Sequence, residues 1–165
     1  MYTLHCTKRL LDRLKPSVAS SVPTPTTALG NWYATALFWK PQVALLVNER
    51  TLLPVLMPLA PASTLAARFP IELATILTQH GAGQAFIASE VAAMSEVLKA
   101  KTANRSVVGT MNEFAFLAEG CRERMETAEV LMLSMRLADT PCGAIKHQSP
   151  ARLLKELVGA STHWN

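Results

Sequence analysis

TTALGNWYATALFWKPQVALLVNERTLLPVLMPLAP, residues 26–61, holds three apolar runs of β type, at 32–39, 43–47 and 52–57. Turn chemistry bounds each run. Gly30-Asn31 precedes the first, Lys40-Pro41-Gln42 separates the first two, and Asn48-Glu49-Arg50 separates the second from the third. Connections of about three residues are too short for a parallel crossover, so consecutive strands are predicted to run antiparallel as a meander. Pro54 has no N–H to give to a ladder, and it marks the third run as an edge strand or a bulge.

Working outward, 2–6 alternates weakly and can add a fourth strand. Thr7 is placed to cap a helix whose stripe is Leu10, Leu11 and Leu14, and Pro16 ends it. Residues 16–27, PSVASSVPTPTT, read as a flexible surface loop rich in Ser, Thr and Pro. Beyond Pro61 the period changes to that of helices. Ser63 can cap a short helix at 64–68. Pro70 suits the first turn of the next, with Ile71, Leu73, Ala74, Ile76 and Leu77 inward and Gly81 as the stop. A further helix is predicted over 84–96, with Phe86, Ile87, Val91 and Met94 buried. Residues 97–101 fit either its continuation or a short edge strand.

The clearest helical periodicity covers 104–124, where Val107, Val108, Met111, Phe114, Ala115, Ala118 and Cys121 share one face. Residues 127–137 read as helix in preference to strand, and 150–158 as a terminal helix capped by Ser149. Strands first and helices after predict an α+β domain: an antiparallel β-meander of three to four strands, with about five helices packed on one face. At 165 residues, 1–165 reads as a single globular domain able to bury its own core.

Composition narrows the function classes. Half the residues are apolar and 17% are charged, which excludes a disordered chain. The net charge of +4 comes from scattered basic residues, weak ground for a nucleic-acid partner. No apolar run approaches membrane-spanning length, and the N-terminus lacks the order of a secretory signal, so the expectation is a cytoplasmic protein with no membrane partner. Cys6, Cys121 and Cys142 form no CxxC pair, and His5, His80, His147 and His163 stand isolated, so neither a metal nor a cofactor is expected.

The strings LHCTKRLLDRL, LGNWYA, VNERTLLPV, KTANRSVVGTMNEF and SMRLADTPC resemble an uncharacterised bacterial family, a domain of unknown function in short proteins that are often plasmid-associated. The resemblance runs from Leu4 to about Cys142, apart from the Ser/Thr/Pro loop. It implies one compact domain of bacterial origin and supplies no catalytic residue.

Three clusters remain as candidate sites. Lys101, Thr102, Asn104 and Arg105 gather at the predicted start of the long helix, where the dipole and free N–H groups suit an anion. Asn112 and Glu113 follow on the face of Arg105, and Gly109 would let a ligand or another backbone approach. The same residues also read as ordinary capping, with Thr102 or Asn104 as cap, Arg105 in an ion pair and Gly109 serving packing. Asn48, Glu49 and Arg50 sit at a hairpin tip, either as a partner contact or as plain turn chemistry. Thr7 and Lys8, with Arg9, place cations at a helix start, which is disfavoured unless an anion is present. Cys6, ahead of that helix, and Cys142 are the candidate nucleophiles, although a strand cysteine such as Cys6 is usually a small buried hydrophobe.

Three functions fit. One is a non-enzymatic binding module engaging a protein or nucleic acid through the basic helix start. Another is an enzyme of phosphate-containing substrates using Lys101, Arg105 and Glu113. The third is an inhibitor or antitoxin-like protein of a mobile element. The absence of any catalytic set at diagnostic spacing favours the first.

Overall fold

The computed structural model describes residues 1–123 and 129–162. Its centre is a five-stranded mixed sheet of β1 (Tyr2–Cys6), β2 (Trp32–Leu37), β3 (Val43–Asn48), β4 (Pro54–Pro58) and β5 (Val97–Lys101), in the order β4-β3-β2-β1-β5. The 26–61 stretch forms the antiparallel part as expected, with Tyr33 opposite Val47 and Leu45 opposite Leu56. Pro54 lies in β4, an edge strand. The meander is only part of the sheet, however. β1 inserts between β2 and β5 and runs parallel to both, with Cys6 level with Ala34 and Lys101. The long connection from Cys6 to Trp32, carrying α1 (Lys8–Leu14), has the length a parallel crossover requires.

Helices cover both faces of the sheet, not one. On the first face Leu4, Trp32, Ala34, Leu46 and Met57 pack with Leu10 of α1, with Phe69 and Leu73 of α2 (Leu65–Gln79), and with Ile87 of α3 (Gln84–Ala93). On the second, Tyr33, Leu37, Leu45, Val47 and Leu56 meet Met111 and Phe114 of α4 (Arg105–Glu123) and Leu133 and Leu137 of α5 (Val130–Ala138). The near-continuous apolar runs of β2 and β3 are those of strands buried on both sides. A sheet with one wet face would alternate.

Local departures have local causes. α2 is one helix with Pro70 inside it, where a break was expected. Phe69 and Leu73 anchor it on either side of the proline. The Arg68 guanidinium ties its entrance to the carbonyls of Pro58, Leu59 and Pro61. α3 stops at Ala93, and 97–101 is a strand, held by the register Tyr2–Val97 through Cys6–Lys101. α5 is helical from Val130, while Arg124 and Thr127 lie outside the described residues. Ser149 accepts a bond from the Arg152 N–H at 3.3 Å and starts α6 (Pro150–Thr162). In the 16–27 segment the Ala19 N–H donates to the Lys99 carbonyl at 2.8 Å, so this chain runs beside β5. Among the described residues no helix is long and apolar enough to cross a membrane.

Candidate functional site

β5 ends at Lys101, and Thr102-Ala103-Asn104 turns the chain into α4. Asn104 is the cap: its Oδ1 accepts the N–H groups of Ser106 at 2.9 Å and Val107 at 3.3 Å. Two ties fix this turn to the sheet. The Asn104 N–H donates to the Tyr33 hydroxyl at 3.0 Å, and His5 Nδ1 donates to the Lys101 carbonyl at 2.8 Å. The His5 and Tyr33 rings stack at 4.5 Å, and burial holds the Tyr33 phenol above its ordinary pKa.

Capping therefore uses Asn104 and leaves the rest of the cluster in water. Lys101 and Arg105 are exposed and enter no ion pair among the described residues. Thr102 is half-buried. Thr102, Asn104, Arg105, Val108, Gly109 and Asn112 line an open depression of about 410 Å³. Gly109 does not serve packing among the described residues, since a Cβ added there would meet none of their atoms within 4 Å beyond its own stretch of helix. A glycine inside a helix costs about 1 kcal/mol relative to alanine, and here no internal contact offsets it.

The outward line of α4 continues past this end. Arg105, Asn112, Phe116 and Glu123 fall within a narrow arc opposite Val107, Met111, Phe114 and Ala118, which are buried. Asn112 and Glu113 are exposed, and their side chains make no hydrogen bond among the described residues. Phe116 is 80% exposed, with Leu117 beside it at 38%. Thr140 and Pro141 flank Asn112, Glu113, Phe116 and Leu117 around a second open depression of about 550 Å³. At the far end Arg122 lies 4.6 Å over the Trp39 ring and bonds Glu119 at 2.9 Å.

The other two clusters are committed to structure. Asn48 is fully buried rather than set at a solvated tip. Its Oδ1 accepts the N–H groups of Arg50 and Thr51 and the Thr51 hydroxyl, while Nδ2 donates to the carbonyls of Leu29 and Asn31. Leu52, at φ 59, completes this five-residue connection. Arg50 donates to the Ala28 carbonyl at 2.9 Å, and Glu49 is half-buried. By register this tip lies toward the opposite end of the sheet from Thr102, three strands away. Thr7 follows the end of β1 level with Lys101, but its hydroxyl donates to that of Thr35 at 2.9 Å instead of capping α1. Lys8 pairs with Asp12 at 3.1 Å, and Arg9 lies 5.0 Å over the Phe38 ring. Cys6 is buried, its thiol bonds the Leu4 carbonyl, and burial pushes its pKa up to about 12, away from a reactive thiolate.

Two residues escaped the sequence reading. Glu90 is 2% exposed, and its carboxylate accepts the N–H groups of Ala28 at 2.7 Å and Leu29 at 3.1 Å, clamping the entry to β2 onto α3. Its spacing from Ile87 and Met94 already puts it on their inward face. Phe116 likewise shows in the periodicity, as an aromatic on the polar side of α4.

The family model of a domain of unknown function, DUF6933, matches residues 3–153. No curated protein and no solved structure matches the chain.

Proposed function

Because the chain belongs to the DUF6933 family, whose description carries no activity, we propose a function from its surface: a non-enzymatic binding module that holds a protein partner against the outward face of α4. The observation that carries this is Phe116, an aromatic ring 80% exposed on the line between Arg105 and Glu123. A large apolar side chain in water beside unpaired charges fits a protein interface, where aromatic and Arg anchors carry most of the binding energy. The basic end alone would suit nucleic acid. The full face, with Glu113 and Glu123 among its charges, is mixed in sign and suits a polypeptide better. An enzymatic reading would need Lys101, Arg105 and Glu113 gathered in an enclosed pocket, and they lie instead along an open surface.

The test is capture of partners from the native host on immobilised chain. Phe116→Glu and the pair Lys101→Ala with Arg105→Ala are each expected to abolish capture while leaving the chain folded. Variants that capture normally would overturn the reading. Capture lost steeply with salt, on nuclease-sensitive material, would replace the protein by a nucleic acid.

A further inference from the structure

Resting on that reading, we propose that the occupant of the α4 face is a second copy of this chain, paired through an antiparallel α4–α4 contact. The helix carries a knob and a hole on one line. Phe116 projects into solvent, and two turns before it Gly109 leaves a gap that nothing among the described residues fills. A two-fold axis passing between Asn112 and Glu113 sets Phe116 of each copy over Gly109 of the other, so both knobs and both holes are used at once. Gly109, about one turn from the crossing, leaves room for the Phe116 ring of the second copy.

The charges follow the same symmetry. Lys101 and Arg105 stand at the N-terminal end of α4 and Glu119 and Glu123 at its C-terminal end, each the sign that the helix's own dipole disfavours. Arg122 neutralises Glu119 in part, and Lys101, Arg105 and Glu123 have no ion-pair partner among the described residues. The two-fold that seats Phe116 brings Arg105 alongside Glu119 and Glu123 of the second copy. A parallel arrangement would instead put like charges together. At the axis the Asn112 amide meets the Glu113 carboxylate of the second copy, joining two exposed groups that lack hydrogen bonds among the described residues. Leu117, Thr140 and Pro141 widen the contact on one flank.

Sedimentation equilibrium of the full chain is the test. At about 100 μM, a concentration suited to a modest interface, the chain is expected at twice its mass of 17.9 kDa. Phe116→Glu is expected to weaken self-association by about 30-fold or more, the effect of losing an interface anchor. Gly109→Leu, which fills the hole without touching the knob, should do the same if the first variant folds poorly. Arg105→Glu and Glu123→Arg should each weaken pairing and, combined in one chain, restore it. A wild-type chain that stays at 17.9 kDa overturns self-pairing. So does a dimer indifferent to Phe116→Glu, or a double charge reversal that fails to restore pairing. If the wild type is monomeric and Phe116→Glu still abolishes capture of a host protein, the binding-module reading survives and only the identity of the partner falls. If capture is unaffected as well, both fall.

Discussion

The Tyr33 hydroxyl accepts the backbone N–H of Asn104 at 3.0 Å, joining β2 to the cap of α4 across 71 positions. The sheet thereby sets where α4 begins, and hence which way Arg105 and Phe116 point. Tyr33→Phe keeps the ring and its stack on His5 and removes only the acceptor. Because Asn104 is exposed, water can take over the freed N–H, so the expected loss is about 0.5–1.5 kcal/mol in chemical denaturation. Amide exchange at Ser106 and Val107 should quicken before that of Phe114. An unchanged exchange pattern would mean that the cap holds without the sheet.

Asn48 makes five hydrogen bonds from a fully buried amide. Asn48→Ala strands the Leu29 carbonyl, the Arg50 and Thr51 N–H groups and the Thr51 hydroxyl, while the Asn31 carbonyl keeps the Glu49 N–H, so it is expected to cost at least about 3 kcal/mol. Glu49→Ala, in the next position, should change stability by less than about 0.5 kcal/mol. Comparable effects at the two positions would show that the tip is held by its backbone alone.

The 26–61 meander was legible because short turns between apolar runs leave few alternatives, and Pro54 named its edge. The place of β1 was not legible. A five-residue strand buried on both sides shows no periodicity to separate it from its partners, and its pairing with β5 spans most of the chain. The continuity of apolar residues in β2 and β3 is that of strands covered on both faces, but the helices were expected to pack on one. At the candidate site, Asn104, Arg105 and Asn112 were legible from helix-start chemistry and spacing. Asn48 was misplaced on the surface because turn residues usually lie in water. Here its side chain substitutes for backbone partners at the edge of the core.

Phe114 and Phe116 are two positions apart on α4 and opposite in environment, 1% and 80% exposed. Phe114→Ala should cost about 3–5 kcal/mol through lost burial and the cavity left behind. Phe116→Ala should leave the monomer within about 0.5 kcal/mol of wild type. Equal losses would mean that α4 is rotated from the orientation its face requires.

Glu90 gives one carboxylate oxygen to each of two N–H groups, on Ala28 and Leu29. Glu90→Gln keeps the shape but turns one acceptor into an NH₂ that faces a donor. The expected cost is about 1–3 kcal/mol, larger than that of an exposed Glu→Gln change, with faster exchange at Ala28 and Leu29. A neutral result would place the hold on 26–31 in its other bonds, such as that from Arg50 to Ala28.

His80 closes the C-terminal end of α2 with its Nε2 buried and without a hydrogen-bond partner among the described residues. Burial holds its pKa below the ordinary 6.5. Lys155 pushes the same way, and Asp139 opposes both. The folded chain therefore resists the proton that the unfolded chain accepts. Its contribution is whole above 6.5 and is lost as pH falls through 6.5 toward the folded value. Glu90 acts in the opposite sense, because burial raises its carboxyl above 4.5 and the folded chain takes up that proton first. Glu90 opposes His80 wherever both titrate, so the shoulder below 6.5 is assigned to His80 by comparing the wild type with His80→Gln. Denaturation curves stepped from pH 7.5 to 5 should show stability falling through that shoulder in the wild type and flat there in His80→Gln. Parallel curves for the two proteins would mean that another group carries the acid sensitivity.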